Sequence, residues 1–213
     1  MIRLGPSRGA RVGIVLAHGR GGTAEDILGL IRAADLTDVA AIAPQAPDHS
    51  WWPTSFLAPS AVLAPHVAKG VSAMTDAVAV LGRDGLARDR IWLAGFSQGA
   101  GLALETFARA GEGLAGVLGF SGGLVGTSDM DGAPDESLYG HGPKAFDYPG
   151  RRDGARVWIS VHSRDPHIPL RRVEESEAVL RAMGATVETR IYPGGGHAVM
   201  PADLAALRSF LAA

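Results

Sequence analysis

The chain contains no cysteine. Disulfides, thiolate metal sites and cysteine nucleophiles are excluded together. Lysine is almost absent, with Lys69 and Lys144 standing alone among the basic residues. Arginine takes its place, which reads as a bias of the source genome rather than as function. No stretch approaches the roughly eighteen unbroken apolar residues of a membrane span. Charge of one sign is missing too: 20 basic and 22 acidic residues leave a formal net charge of -2. No basic stripe stands out, so nucleic acid is not an expected partner. Residues 1–11 show neither a long apolar run nor a secretory cleavage pattern, which points to a cytoplasmic location.

What remains is an ordinary globular composition: 213 residues, 46% hydrophobic and 20% charged. This fits a single domain over 1–213 with a full core. Six apolar runs of strand length fall at 12–17, 39–43, 91–96, 114–120, 157–161 and 187–192. Amphipathic stretches of helical length separate them, at 23–34, 67–81, 98–110, 170–183 and 204–211. Thr23 is the expected N-cap of the first, with Asp26 in the capping-box position. Such alternation implies an α/β domain with a parallel sheet covered on both faces. One segment, 126–155, is rich in Gly, Asp and Pro and fits no element. It reads as an excursion over the site or a mobile flap. There is no internal repeat and no dividing linker.

The strongest chemical signal is Gly95-Phe96-Ser97-Gln98-Gly99, a G-x-S-x-G sequence with a strand before it and a helix after it. A turn that sharp lifts the serine hydroxyl above the sheet and leaves the Gln98 amide at a helix start, where unpaired N–H groups favour an anion. A serine capping a helix after a glycine turn would look similar, but the flanking elements favour a nucleophile. Gly119-Phe120-Ser121-Gly122-Gly123 is a near-copy without the helix, so Ser121 is given a structural or pocket-wall role.

A serine hydroxyl needs a base. In strand–turn–helix sites of this kind the chain order is Ser, acid, His, which sets aside His18, His49 and His66. His197, after Pro193-Gly194-Gly195-Gly196, sits where a loop can bend back from the carboxyl end of the last strand. Asp165 follows the preceding strand, where a carboxylate can accept the imidazole N–H. It also reads as the start of an Asp-Pro turn. Asp147 and Asp153 are the fallback acids. His162, Asp165 and His167 lack a further nitrogen or sulfur ligand at recognisable spacing, so no metal or other cofactor is expected.

Oxyanion donors are expected from the Gln98 amide and from the glycine-rich loop His18-Gly19-Arg20-Gly21-Gly22, with Arg20 as the donor. The Arg20 side chain is left between solvent and guiding an acidic substrate. His18 is given a structural hydrogen-bonding role. Trp51, Trp52 and Phe56 form the densest aromatic cluster and are assigned to the substrate pocket, with Leu124, Val125 and Ile168 as weaker members. Tryptophans on a loop also leave a homodimer contact open.

Taken together, His18 to Gly22, Ala43-Pro44-Gln45-Ala46-Pro47, Ser50-Trp51-Trp52-Pro53, Gly95 to Ala100, Asp165-Pro166-His167-Ile168-Pro169 and Tyr192 to His197 resemble the phospholipase/carboxylesterase family. That family includes acyl-protein thioesterases and small bacterial carboxylesterases. The resemblance implies an α/β-hydrolase fold with a mostly parallel sheet of six or seven strands and no large separate lid. It also implies no metal, and hydrolysis of small carboxylic esters or thioesters. By the same pattern Ser97, Asp165 and His197 correspond to the triad, and Arg20 and Gln98 to the oxyanion hole. The thioesterases typically have leucine at the position of Arg20, and the Trp51-Trp52 region is closer to the bacterial esterases. Two rivals stand beside an esterase: a lactone or other acyl hydrolase on the same triad, and a ligand-binding member of the fold without turnover.

Overall fold

The computed structural model describes residues 1–212. Nine strands and five helices follow in the order β1 (Ile2–Leu4), β2 (Val12–Ala17), α1 (Ala24–Ala33), β3 (Val39–Ala43), α2 (Ser60–Arg83), β4 (Ile91–Phe96), α3 (Gln98–Ala110), β5 (Gly116–Phe120), β6 (Ser128–Asp129), β7 (Lys144–Ala145), β8 (Arg156–Arg164), α4 (Leu170–Ala182), β9 (Thr186–Gly195) and α5 (Pro201–Ala212). Seven of the strands form one sheet in the order β1-β3-β2-β4-β5-β8-β9. All its neighbours are parallel except β1 on β3.

The central strands are apolar at every position because both faces are covered. Val15 and Ala17 of β2 join a core built with α2, α3 and α4. Ile14 and Leu16, one residue out of phase, join a second core built with α1 and α5. The strand order reverses between β2 and β4. At such a switch the connecting helices leave on opposite faces and open a crevice at the carboxyl ends of the strands. The Gly19-Arg20 loop and Ser97 lie at that crevice, just beyond β2 and β4.

Thr23 caps α1 as expected, accepting from the Asp26 amide while the Asp26 carboxylate accepts from the Thr23 amide. Three differences from the sequence reading have a clear physical reason. The seventh strand, β1, has only three residues, two exposed and one half-covered, and carries no periodic signal. Helix α2 begins seven residues earlier, at Ser60, and contains Pro65. Near a helix start this proline removes a single backbone bond, to the Ala61 carbonyl, and the amphipathic face continues across it. Strand β9 runs through Pro193 to Gly195. It is an edge strand, and its pairing with β8 is irregular between His162 and Arg164, two settings in which a missing N–H is tolerated.

The 126–155 segment is an excursion fastened to the body. Its β6 and β7 form a two-stranded antiparallel ribbon. The buried Lys144 ammonium donates to the Ala58 carbonyl at 2.6 Å and pairs with Asp129 at 2.5 Å. The Tyr148 hydroxyl donates to Glu105 at 2.8 Å. Arg152 donates to the carbonyls of Phe107 and Ala108 at 2.7 and 2.6 Å, covering the carboxyl end of α3. No helix among the described residues is long and apolar enough to cross a membrane.

Candidate active site

Ser97 joins β4 directly to α3 with φ 56° and ψ −119°, a conformation costly for a residue with a Cβ. The turn is held by the Ser97 amide on the Phe120 carbonyl at 2.9 Å and by the Ser97 carbonyl accepting from Gly101 at 3.1 Å. The two flanking glycines are sterically required. A Cβ on Gly95 would lie 2.1 Å from the Gly99 carbonyl oxygen, and one on Gly99 would lie 2.0 Å from that of Ala17. The near-copy at Ser121 also has positive φ, 52°, but no helix follows it. Ser121 is buried, and its amide donates to the Ser160 carbonyl at 2.8 Å, a structural placement.

Ser97, His197 and Asp165 come together from the ends of three strands. His197 Nε2 lies 2.8 Å from Ser97 Oγ. Its Nδ1 lies 2.8 and 3.0 Å from the two carboxylate oxygens of Asp165. The Asp165 side chain is fully covered, and its Oδ1 also accepts the amides of His167 and Ile168 at 2.9 and 3.1 Å. The Asp-Pro turn and the imidazole partner therefore coexist in one residue. Two amide donors and one imidazole N–H satisfy the buried charge. The His197 ring packs against Phe96, with centroids 5.1 Å apart, and against the edge of His167, at 4.9 Å. Asp153, one of the fallback acids, is spent on an exposed pair with Arg151.

Gln98 opens α3, so its amide is one of the unpaired donors at a helix start. Its side chain performs a separate task. Oε1 accepts from the Trp51 amide at 2.7 Å and Nε2 donates to the Trp52 carbonyl at 2.8 Å, clasping the tryptophan loop. The Arg20 side chain is exposed and meets no acid; it donates to the carbonyls of Pro53, at 3.1 Å, and Thr54. His18 is structural. Its Nδ1 lies 2.8 Å from the Gly19 carbonyl and its Nε2 accepts from the Ala46 amide at 3.1 Å, which fixes the neutral Nδ1–H tautomer. Burial holds its pKa below the usual histidine range.

A cavity of about 550 Å³ opens beside Ser97. Trp52, Phe56 and Ile168 line it as expected, together with Arg20, Gln98 and His197. Three expected pocket residues do not. Trp51 is turned into the body, its Nε1 donating to the His18 carbonyl at 2.9 Å. Leu124 is fully buried, its amide donating to Ser176 Oγ at 2.8 Å. Val125, likewise, is buried in the core away from the cavity. Sequence reasoning missed Leu57, Tyr139, His141 and the pocket placement of His167. Tyr139 and His141 arrive on the excursion, which carries no periodic pattern; the signal available was only its length.

Residues 5–138 match the model of the family described as phospholipase/carboxylesterase. An acyl-protein thioesterase 1 from Gibberella zeae is 28% identical over 130 residues, 60% of this chain, and the chain spans about half (49%) of that relative's length. The crystal structure of a phospholipase/carboxylesterase from Dyadobacter fermentans superposes with a TM-score of 0.86 at 33% identity, covering 100% of this chain and 95% of that one. Esterase PE8 superposes with a TM-score of 0.72 at 26% identity, covering 99% and 96%. The fold is of α/β-hydrolase type, a mostly parallel seven-stranded sheet with five helices and no large separate lid. The family match spans well over half of the sequence, and the chain belongs to the phospholipase/carboxylesterase family.

Proposed function

We propose that this protein is a serine carboxylesterase that hydrolyses small carboxylic esters through an acyl-enzyme on Ser97. The observation that carries the reading is the continuous hydrogen-bonded line from Ser97 Oγ to His197 to Asp165, 2.8 Å at each step. Asp165 keeps the Nδ1 proton in place, which leaves Nε2 free to take the Ser97 proton as Oγ attacks the ester carbonyl. The amides of Arg20 and Gln98 receive the oxyanion; one such donor is typically worth about 3 kcal/mol in the transition state. His197 then gives the proton to the leaving alcohol. A water enters, is deprotonated by the same Nε2, and releases the acid from Ser97.

The cavity beside Ser97 suits a small substrate, with Trp52, Phe56, Leu57 and Ile168 giving an acyl chain apolar contact. Thioesters follow the same route, since the attacked carbonyl and the oxyanion are the same. The test is hydrolysis of p-nitrophenyl butyrate and its thioester counterpart by wild type and Ser97→Ala. Loss of turnover with Ser97→Ala, and covalent labelling of Ser97 by a fluorophosphonate, support the reading. Turnover at the wild-type rate without the Ser97 hydroxyl ends it.

A further inference from the structure

The cavity beside Ser97 is one-sided in charge. Arg20, His141, His167 and His197 line it, and no aspartate or glutamate does. The nearest acid, Asp165, is fully covered and engaged by His197 and two amides. Arg20 takes part in no ion pair among the described residues. It is nevertheless held in place, because the carbonyls of Pro53 and Thr54 each accept one of its N–H groups. Thr54 itself lines the cavity. A guanidinium offers five N–H donors in a rigid fork, so donors remain after both carbonyls are served. Neutral carbonyls fix its position without cancelling its charge.

We propose that the cavity selects esters carrying a free carboxylate, with Arg20 as the counter-ion. The inference rests on the hydrolase reading above and names the substrate class of the same site. A carboxylate entering a partly enclosed cavity loses water, and it needs a fixed cation to offset that loss. Arg20 supplies it at a reduced ordering cost, since two carbonyls already hold its side chain. The two histidines add donors and keep the wall free of negative charge. Hydrolysis of such an ester consumes one water and gives an alcohol and a carboxylic acid. The carboxylate that binds Arg20 passes through the reaction unchanged.

The experiment compares isosteric ester pairs. On the acyl side, mono-p-nitrophenyl succinate is set against p-nitrophenyl butyrate. On the leaving-group side, para-acetoxybenzoate is set against para-acetoxybenzamide. The readout is the ratio of kcat/KM, charged over neutral, within each enzyme preparation; loss of folded protein cancels in that ratio. Wild type is expected to favour the charged member of one pair, which tells the side on which the carboxylate sits. Arg20→Gln is expected to lower that ratio about tenfold, the size of one charge-assisted hydrogen bond. Arg20→Lys is expected to recover part of it, and rising salt to reduce it in wild type. Indistinguishable ratios in wild type and Arg20→Gln on both pairs overturn the inference, as does a preference that persists in Arg20→Gln. Absence of Ser97-dependent turnover on every substrate removes the hydrolase reading and this inference with it.

Discussion

The Tyr139 hydroxyl donates to the main-chain carbonyl of Asp165, joining the excursion to the loop that carries the acid. The same hydroxyl lies 3.4 Å from the Ile168 carbonyl, at the other end of that loop. Tyr139 itself has φ 55°, an unfavoured angle for a bulky residue. Its neighbours are pinned by Arg171, which bonds Ser137 Oγ at 3.0 Å and pairs with Asp135. Tyr139→Phe keeps the ring and removes the tie. With one hydrogen bond worth about 1 kcal/mol, kcat on a p-nitrophenyl ester is expected to fall roughly fivefold, with KM little changed. Steady-state kinetics on both parameters check it; unchanged kcat means the acid loop holds its shape without the tie.

Asp165→Asn is expected to abolish most turnover while leaving the fold intact. Asparagine Oδ1 can still accept the amides of His167 and Ile168, which now bond the carboxylate. Its NH2 group would then face His197 Nδ1 and force the ring proton onto Nε2, facing Ser97. The base would be blocked, and a loss of roughly ten-thousandfold in kcat is expected. A melting curve close to wild type beside that loss separates tautomer control from unfolding.

Gly99→Ala is expected to damage the fold as much as the chemistry. Its Cβ would meet main-chain oxygen of Ala17, an atom of the central strand that cannot swing aside. Destabilisation of about 3 kcal/mol is expected for such overpacking. In a chain of this size that lowers Tm by roughly 6 to 12 °C. Thermal unfolding followed by circular dichroism measures it, and a Tm equal to wild type contradicts the close approach.

His18 should make stability fall on mild acidification. Burial is the main cause of its lowered pKa, with His49 adding to it and the Gly19 carbonyl and Asp26 opposing it. A histidine whose folded pKa lies below its unfolded value contributes fully above about pH 6.5, the ordinary histidine value. That contribution is lost as pH falls from there toward the lower folded value. Protonation of Nε2 would also break the bond from the Ala46 amide. Denaturant titrations at neutral and mildly acidic pH should show this decline in wild type and a flatter profile, from a lower starting stability, in His18→Gln.

The parts of the site that could be read from the sequence are those whose context is local. Gly95 and Gly99 bracket Ser97 between a strand and a helix, and that order alone constrains the backbone. Asp165 and His197 each follow a strand end, so parallel topology brings them to the same edge. Pocket residues obey no such rule. Trp51 and Trp52 are adjacent and alike, yet one faces His18 and the other the cavity, because Gln98 fixes the loop between them. Tyr139 and His141 reach the cavity through long-range bonds to Arg171 and the acid loop, which no pattern along 126–155 reveals. Pro65 and Pro193 lie outside the helix and strand expected from the sequence, yet both are absorbed, one near a helix start and the other on a sheet edge.

The double engagement of Gln98 constrains how the selectivity of this site can drift or be redesigned. A bulkier acyl group that pressed on the Trp52 wall would lever the first residue of α3, and with it the proposed donor for the negative oxygen. Room is better gained farther along the same loop. Thr54 and Ser55 are only partly covered and neither belongs to the helix start or to the ties of the acid loop, so widening the entrance there would trade shape without touching reactivity.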